Sequence, residues 1–498
     1  YYNYNMNHYI VAGVIFLYFT LLVVISKITS KTVNNDSFYT GNRNNAWYIV
    51  AFGMIGSSIS GVTFISVPGW VGNSNFYYYQ MIIGNVIGYF IVASLLLPLY
   101  YKLQLTSIYT YLEQRFGLYS YKTGASFFIL SRTIGSAFRL FIVARVLQIA
   151  FFNHFNIPFS VTVIITIALI WLYTYKGGIK TIVWTDTLQT FFLLAAVIIT
   201  IIIISKSIDL GNSNLIQTII QSDYSTMFNW DWHSKYNFFK YVLSGMFITI
   251  VMTGLDQDMM QKNLSCRSIG DAKKNMYWYS TSFLFINLLF LGLGALLYMY
   301  VQQVGIQNFS DTSTFHFDAS KGMFMKTDDL YPMLATSVFG IAVGIVFLVG
   351  IIAAAFSSAD SALTALTTSF TIDILGIHNK TEEEIKKQRI ITHIGFSILL
   401  ALIIIAFHII NNDTVIHAIF TVAGYTYGPI LGMYAFGLFT KRSIKDKAMP
   451  YIAVASPLIC YGIALFVDYM YSYTVGYEIL ILNGAITFAG MYIFAQKN

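Results

Sequence analysis

Long apolar runs separated by short polar stretches dominate the chain. Runs near the ~20 residues needed to cross a bilayer occupy about 8–28, 47–71, 77–101, 123–150, 156–175, 183–205, 237–254, 275–302, 332–371, 390–410, 414–439, 448–470 and 474–495. They predict thirteen transmembrane helices, because backbone amides in hydrocarbon must be satisfied within a helix or a closed barrel. The first run is too long, and too weakly flanked by cleavage-site residues, to be a signal peptide. Starting at Tyr1 rather than Met, the chain is expected to lack a few native residues.

The polar positions inside these runs carry the chemistry. Within GIIAAAFSSADSALTALTTSFTID, Gly350 to Asp373, the residues Ser357, Ser358, Asp360, Ser361, Thr364 and Thr367 crowd an otherwise apolar helix. Uncompensated polar groups in hydrocarbon cost several kcal/mol each, so these must face protein, water or an ion. Ser357, Ser358 and Ser361 fall at helical spacings of one and four, which gathers their oxygens into one patch suited to a small hard cation. Asp186 lies about two turns, roughly 9 Å at helical rise, beyond Lys180. An intramembrane carboxylate is a functional candidate by default. Arg132, Arg139 and Arg145 share one helix, and an arginine there needs an anion. Two further helices are interrupted by small residues, at FGMIGSSISGVTF (52–64) and SGMFITIVMTGLDQD (244–258). Such breaks free backbone carbonyls that can point at an ion or a solute; small residues also simply let helices pack closely.

Composition agrees: 56% of residues are hydrophobic, 10% are charged and the mean hydropathy is +0.64, against about 25% charged in soluble domains. Basic residues fix the expected orientation. With the N-terminus outside, 21 of the 29 Lys and Arg, Lys262 among them, fall in cytoplasmic loops or the C-terminal tail and only five outside. This bias is the positive-inside pattern, and it accounts for the net charge of +7 without nucleic acid as a partner. The two cysteines imply no disulfide framework or metal site. His316, His378 and His417 are scattered, and no nucleophile elbow, phosphate loop or zinc pattern appears, so an enzyme is not expected. The hydrophilic loops 206–236 and 303–331 are expected to cover an outer vestibule. Five helices over 47–205 and five over 237–439 form two blocks of odd count, which places them in opposite orientation, as in inverted-repeat transporters. Residues 1–46 add one helix and a cytoplasmic loop, 206–236 an external loop and 440–498 two C-terminal helices.

The segments DSFYTGNR (36–43), YLEQRFG (111–117), GGIKTIVWTDTLQ (177–189), GLDQDMMQKNLSCRS (254–268), AFSSADS (355–361) and GLFTKR (437–442) resemble, in order, those of the sodium:solute symporter family. The resemblance covers nearly the whole chain and implies an all-α membrane fold with a leucine-transporter-like inverted repeat of five plus five helices. It implies sodium as the coupling ion, no organic cofactor, and a small solute imported across a plasma (inner) membrane.

Carried over residue by residue, the resemblance places a sodium site at the carbonyls of Gly56, Ile59 and Ala354 and the hydroxyls of Ser357 and Ser358. Neutral oxygens suit weak, reversible binding of a hard cation. Asp186 and Ser361 match a second sodium site or a coupling relay, with Asp360 added where several relatives are neutral. Asp360 can instead pair with Arg139 or another buried base. In sialic-acid transporters of the family an arginine on this helix holds the substrate carboxylate, and Arg139 is its match. Ser60, Thr63 and Thr249 fit the same comparison, with Gln80 and Asn85 as further solute candidates. A carboxylated solute such as a sialic acid or monocarboxylate is therefore favoured over a sugar or a proline-like amino acid. A membrane sensor of the same fold is the remote alternative, since no room for a signalling module follows the last helix. The oligomeric state is left open, a monomer included.

Overall fold

The computed structural model describes residues 8–29, 35–174, 178–209, 214–304, 317–318, 323–324, 327–376, 380–410 and 415–496. In chain order the principal helices begin with α1 (His8–Thr29), α2 (Trp47–Ser58), α3 (Gly61–Ser74), α4 (Tyr78–Lys102) and α5 (Leu118–Ala150). There follow α6 (Phe159–Thr174), α7 (Gly178–Ser207), α8 (Phe238–Gly254), α9 (Gln257–Leu264), α10 (Ile269–Val304) and α11 (Ile341–Leu375). The last are α12 (Glu382–Ile410), α13 (Val415–Thr426), α14 (Gly428–Phe439), α15 (Met449–Tyr471) and α16 (Ile479–Ile493).

Every apolar run of the sequence carries helix. By length and composition, however, eight helices among the described residues meet the requirement for crossing a membrane, or ten if each bent pair is one span, against the thirteen expected. The apolar helices α6, α14 and α16 are shorter than a full span. His316 and His378, and most of the loop 303–331, lie outside the described residues.

Both expected interruptions are present. Helices α2 and α3 meet at a bend of 56°, and α8 and α9 at one of 63°. At the first, Ile59 takes φ −82°, ψ 79° and Ser60 is extended. No backbone donor among the described residues reaches the carbonyl oxygen of Gly56 or Ile59. At the second, a five-residue π turn, Ile250–Gly254, ends α8, and Asp256 restarts the chain by accepting hydrogen bonds from Asp258 N (2.9 Å) and Met259 N (3.4 Å). A carboxylate at a helix N-terminus satisfies donors that the helix cannot.

Small residues set the packing. A Cβ on Gly56 would lie 2.2 Å from Thr190 Oγ1, and one on Gly53 3.1 Å from Asp186 Cβ, so α2 sits directly on α7. Helices α4 and α8 interlock more tightly still. A Cβ on Gly84 would meet Val242 O at 2.1 Å, one on Gly88 Met246 O at 2.6 Å, and one on Gly245 Met81 O at 2.2 Å. Close backbone approach of this kind supplies the dispersion contact on which helix association in lipid depends. Aromatic rings tie α3 to its neighbours: Phe64 packs against Phe290 of α10, Tyr331 and Phe347 of α11, with centroids 5.3–6.1 Å away.

Candidate functional site

A cavity of about 740 Å³, its open mouth included, lies at the two helix breaks. Ser60 and Thr63 reach it from the α2–α3 break, Asn85 from α4, Thr249 from the end of α8, and Arg132 and Arg139 from α5. Tyr78, Tyr89, Phe283 and Phe420 supply aromatic walls. Below them Tyr89 and Tyr279 share a hydroxyl contact of 2.8 Å, and Tyr279 OH donates to Ser58 Oγ at 2.6 Å. Five of the six residues expected to bind solute, Ser60, Thr63, Asn85, Arg139 and Thr249, therefore surround one space. Gln80 does not. Its amide is consumed elsewhere: Nε2 donates to Tyr236 O (2.9 Å) and Tyr77 O (3.2 Å), and Oε1 accepts from Asn229 N (2.9 Å). It pins the segment before α8 rather than facing the cavity.

The three arginines of α5 divide by environment. Arg132, 5% exposed, is ion-paired to Asp258 and stands 3.7 Å from Asp256 Oδ2. Asp256 also accepts a hydrogen bond from Tyr427 OH. Arg145 pairs with Asp329 at 2.7 Å. Arg139 lines the cavity and has no ion-pair or hydrogen-bond partner among the described residues. A guanidinium that lines a cavity without an ion pair of its own favours an anion, and its planar fork matches a carboxylate.

Beside the cavity the serine patch of α11 closes on α2. Ser358 Oγ donates to Ser57 O at 3.1 Å, and the hydroxyls of Ser57 and Ser357 are 3.3 Å apart. Ala354 lies one turn before Ser358 and is wholly buried. The free carbonyls of Gly56 and Ile59 thus share this junction with the two hydroxyls. Among the described residues there is no group of three His, Cys, Asp or Glu able to hold a metal.

Asp186 is the hub of the next layer. Its carboxylate accepts from Ser357 Oγ (2.6 Å), Ser57 Oγ (2.8 Å) and Ser361 Oγ (3.3 Å), and it pairs with Lys262 Nζ at 2.8 Å. The sequence reading placed Lys262 in a cytoplasmic loop; the structure buries it to 1% exposure on α9. Its ammonium also donates to Ser57 Oγ and lies 3.9 Å from Asp258 Oδ1. Asp360 makes no ion pair with Arg139. It accepts from Tyr173 OH (3.1 Å), Ser361 N (2.6 Å) and Ser361 Oγ (3.3 Å).

Sequence reasoning missed Lys262, the acids Asp256 and Asp258, and the tyrosine walls. The available signal was the i, i+4 pair Asp258 and Lys262 directly after a helix break.

Known proteins resemble this chain. The model of the sodium:solute symporter family matches residues 38–452. A sodium/sialic acid symporter of Proteus mirabilis is 24% identical over 95% of this chain and 94% of its own. The sodium/iodide cotransporter of Homo sapiens is 26% identical over 81% of this chain and 61% of its own. A solved structure described as the substrate-bound outward-open state of a Na+-coupled sialic acid symporter superposes with a TM-score of 0.80 at 21% identity, covering 98% of this chain and 99% of the other.

Proposed function

The chain belongs to the sodium:solute symporter family, and on that premise we propose that it is a sodium-coupled symporter importing a small carboxylate-bearing solute by alternating access. The observation that carries the substrate class is the unpaired Arg139 guanidinium in the cavity, ringed by the hydroxyls of Ser60, Thr63 and Thr249 and the amide of Asn85. The solutes named for the two relatives, sialic acid and iodide, are both anions, which agrees with this reading. A neutral sugar would leave Arg139 without a counterion.

Sodium binds, in this proposal, where Gly56 and Ile59 free their carbonyls against Ala354, Ser357 and Ser358. One ion holds the broken α2–α3 pair against α11 and closes the cavity; its loss to the cytoplasm loosens that junction and releases solute. Each ion supplies about 2.3 kcal/mol from a 100 mV potential and about 1.4 kcal/mol from a tenfold gradient. Asp186, Asp360 and Ser361 form the adjoining coupling site.

The architecture proposed with it has thirteen spans. The first five-helix repeat covers 47–205 and the inverted second 237–439, preceded by the helix of 1–46 and followed by the two helices of 440–498. The external loop 206–236 joins the repeats, the N-terminus lies outside and the C-terminus in the cytoplasm.

The test is thermal stability of the purified protein in sodium against potassium, across sialic acids, monocarboxylates, sugars and amino acids. A ligand at a hundredfold excess over its Kd adds about 2.7 kcal/mol. Stabilisation by a carboxylate that requires sodium supports the proposal. Stabilisation by a neutral sugar instead overturns the substrate class, and identical behaviour in sodium and potassium overturns the coupling.

A further inference from the structure

The cation position beside Asp186 is filled by the protein itself. Lys262 reaches it from α9, the second half of the bent α8–α9 pair, and its Nζ stands 2.8 Å from Asp186 Oδ2. Three hydroxyls, from Ser57, Ser357 and Ser361, donate to the same carboxylate. Among the described residues Lys262 is the basic side chain paired with Asp186. It is held from behind by Asp258, 3.9 Å away, which is itself paired with Arg132 at the wall of the solute cavity. A sodium ion bound to Asp186 would meet this ammonium at contact distance. In a low-dielectric interior two like charges so close repel strongly.

We propose that Lys262 is a tethered cation standing in for a second sodium ion at Asp186, so that the transporter binds one sodium per cycle. The inference rests on the sodium-coupled reading above and adds its stoichiometry. The lysine is a positioning residue. It gives Asp186 its counterion in every state in which α9 stays packed on α2 and α7. It also links the serine junction to Arg132, so that the sodium site and the solute wall share one chain of charges.

The experiment counts bound ions. Stability rises with sodium as RT ln(1 + [Na]/Kd) for each site, so at high sodium the slope against ln[Na] is RT times the number of ions held. Purified full-length protein is titrated with sodium chloride replacing potassium chloride at constant ionic strength. The wild type is expected to show a slope of one ion, Lys262→Met a slope of two as Asp186 is vacated, and Lys262→Met with Asp186→Asn a slope of one again. A wild-type slope of two, or a slope of one in Lys262→Met, overturns the inference. If Lys262→Met does not fold, the wild type and the charge-conserving Lys262→Arg decide it: both must give one, and two in either overturns it. A wild-type slope of zero is a different failure, that of the sodium-coupled reading itself.

Discussion

Arg132 and Arg139 stand two turns apart on α5 and line the same cavity, but Arg132 is held by Asp256 and Asp258 whereas Arg139 has no protein partner among the described residues. The difference separates their roles. Removing one member of a buried ion pair strands the other charge, at about 3–5 kcal/mol. Arg132→Ala is therefore expected to lower Tm strongly with or without solute, as thermal unfolding in detergent will show. A mild effect would mean that the two aspartates find another counterion.

Arg139→Ala leaves no buried carboxylate behind, so its Tm without solute should stay close to that of the wild type. Binding of an anionic solute should weaken by about 2–5 kcal/mol, at least on the order of 30-fold in Kd. Arg139→Lys should recover part of this, since the charge returns without the planar fork. Direct binding measurements check both, and unchanged affinity for a carboxylated solute in Arg139→Ala would remove the clamp.

Ser358 contributes its hydroxyl at the α2–α11 junction, where it donates to Ser57 O. Ser358→Ala is expected to raise the sodium concentration for half-maximal uptake by roughly 5- to 30-fold, the equivalent of about 1–2 kcal/mol for one lost ligand. Initial uptake rates against sodium concentration give the answer. An unchanged sodium dependence would exclude this serine from the site.

At Gly56 an added methyl would overlap Thr190 Oγ1 at 2.2 Å, whereas at Gly135 it would meet nothing within 4 Å. Gly56→Ala should cost about 1–3 kcal/mol through overpacking and weaken sodium binding by shifting the free carbonyls. Thr190→Ala in the same chain should restore part of the loss. Gly135→Ala, in the middle of α5, should be neutral or slightly stabilising. Equal effects at the two glycines would refute the close-packing account.

Gln80→Ala should leave solute affinity within about twofold while increasing proteolysis of the segment around Asn229 and Tyr236, which the glutamine holds. A large loss of affinity without added proteolysis would return Gln80 to the cavity.

Much of this was legible in the sequence, and the reasons differ by residue. The helices were visible because an apolar run of about 20 residues has few other uses. The two breaks showed because Gly and Ser cluster where Ile59 and Asp256 depart from helical geometry. Arg139 stood out as a charge in an apolar run. Lys262 did not, because it follows Asp256, Asp258 and Gln261 in a polar stretch that reads as a loop; only the fold of α9 back into the bundle makes it a buried cation. Gln80 misled for the opposite reason, since a buried amide near a helix start serves a solute or a neighbouring backbone equally well. The partners of Arg132 and Arg145 lie more than a hundred residues away in sequence, and local periodicity carries no information about them.

The glycine contacts between α4 and α8 have a mechanical consequence. With Gly84 and Gly88 against the backbone of Val242 and Met246, and Gly245 against that of Met81, the two helices have no cushion of side chains on which to slide. They are packed as one beam. Asn85 and Thr249 ride on that beam, while Arg139 stands on α5, outside it. A solute long enough to touch both the amide and hydroxyl on the beam and the guanidinium on α5 bridges the two bodies.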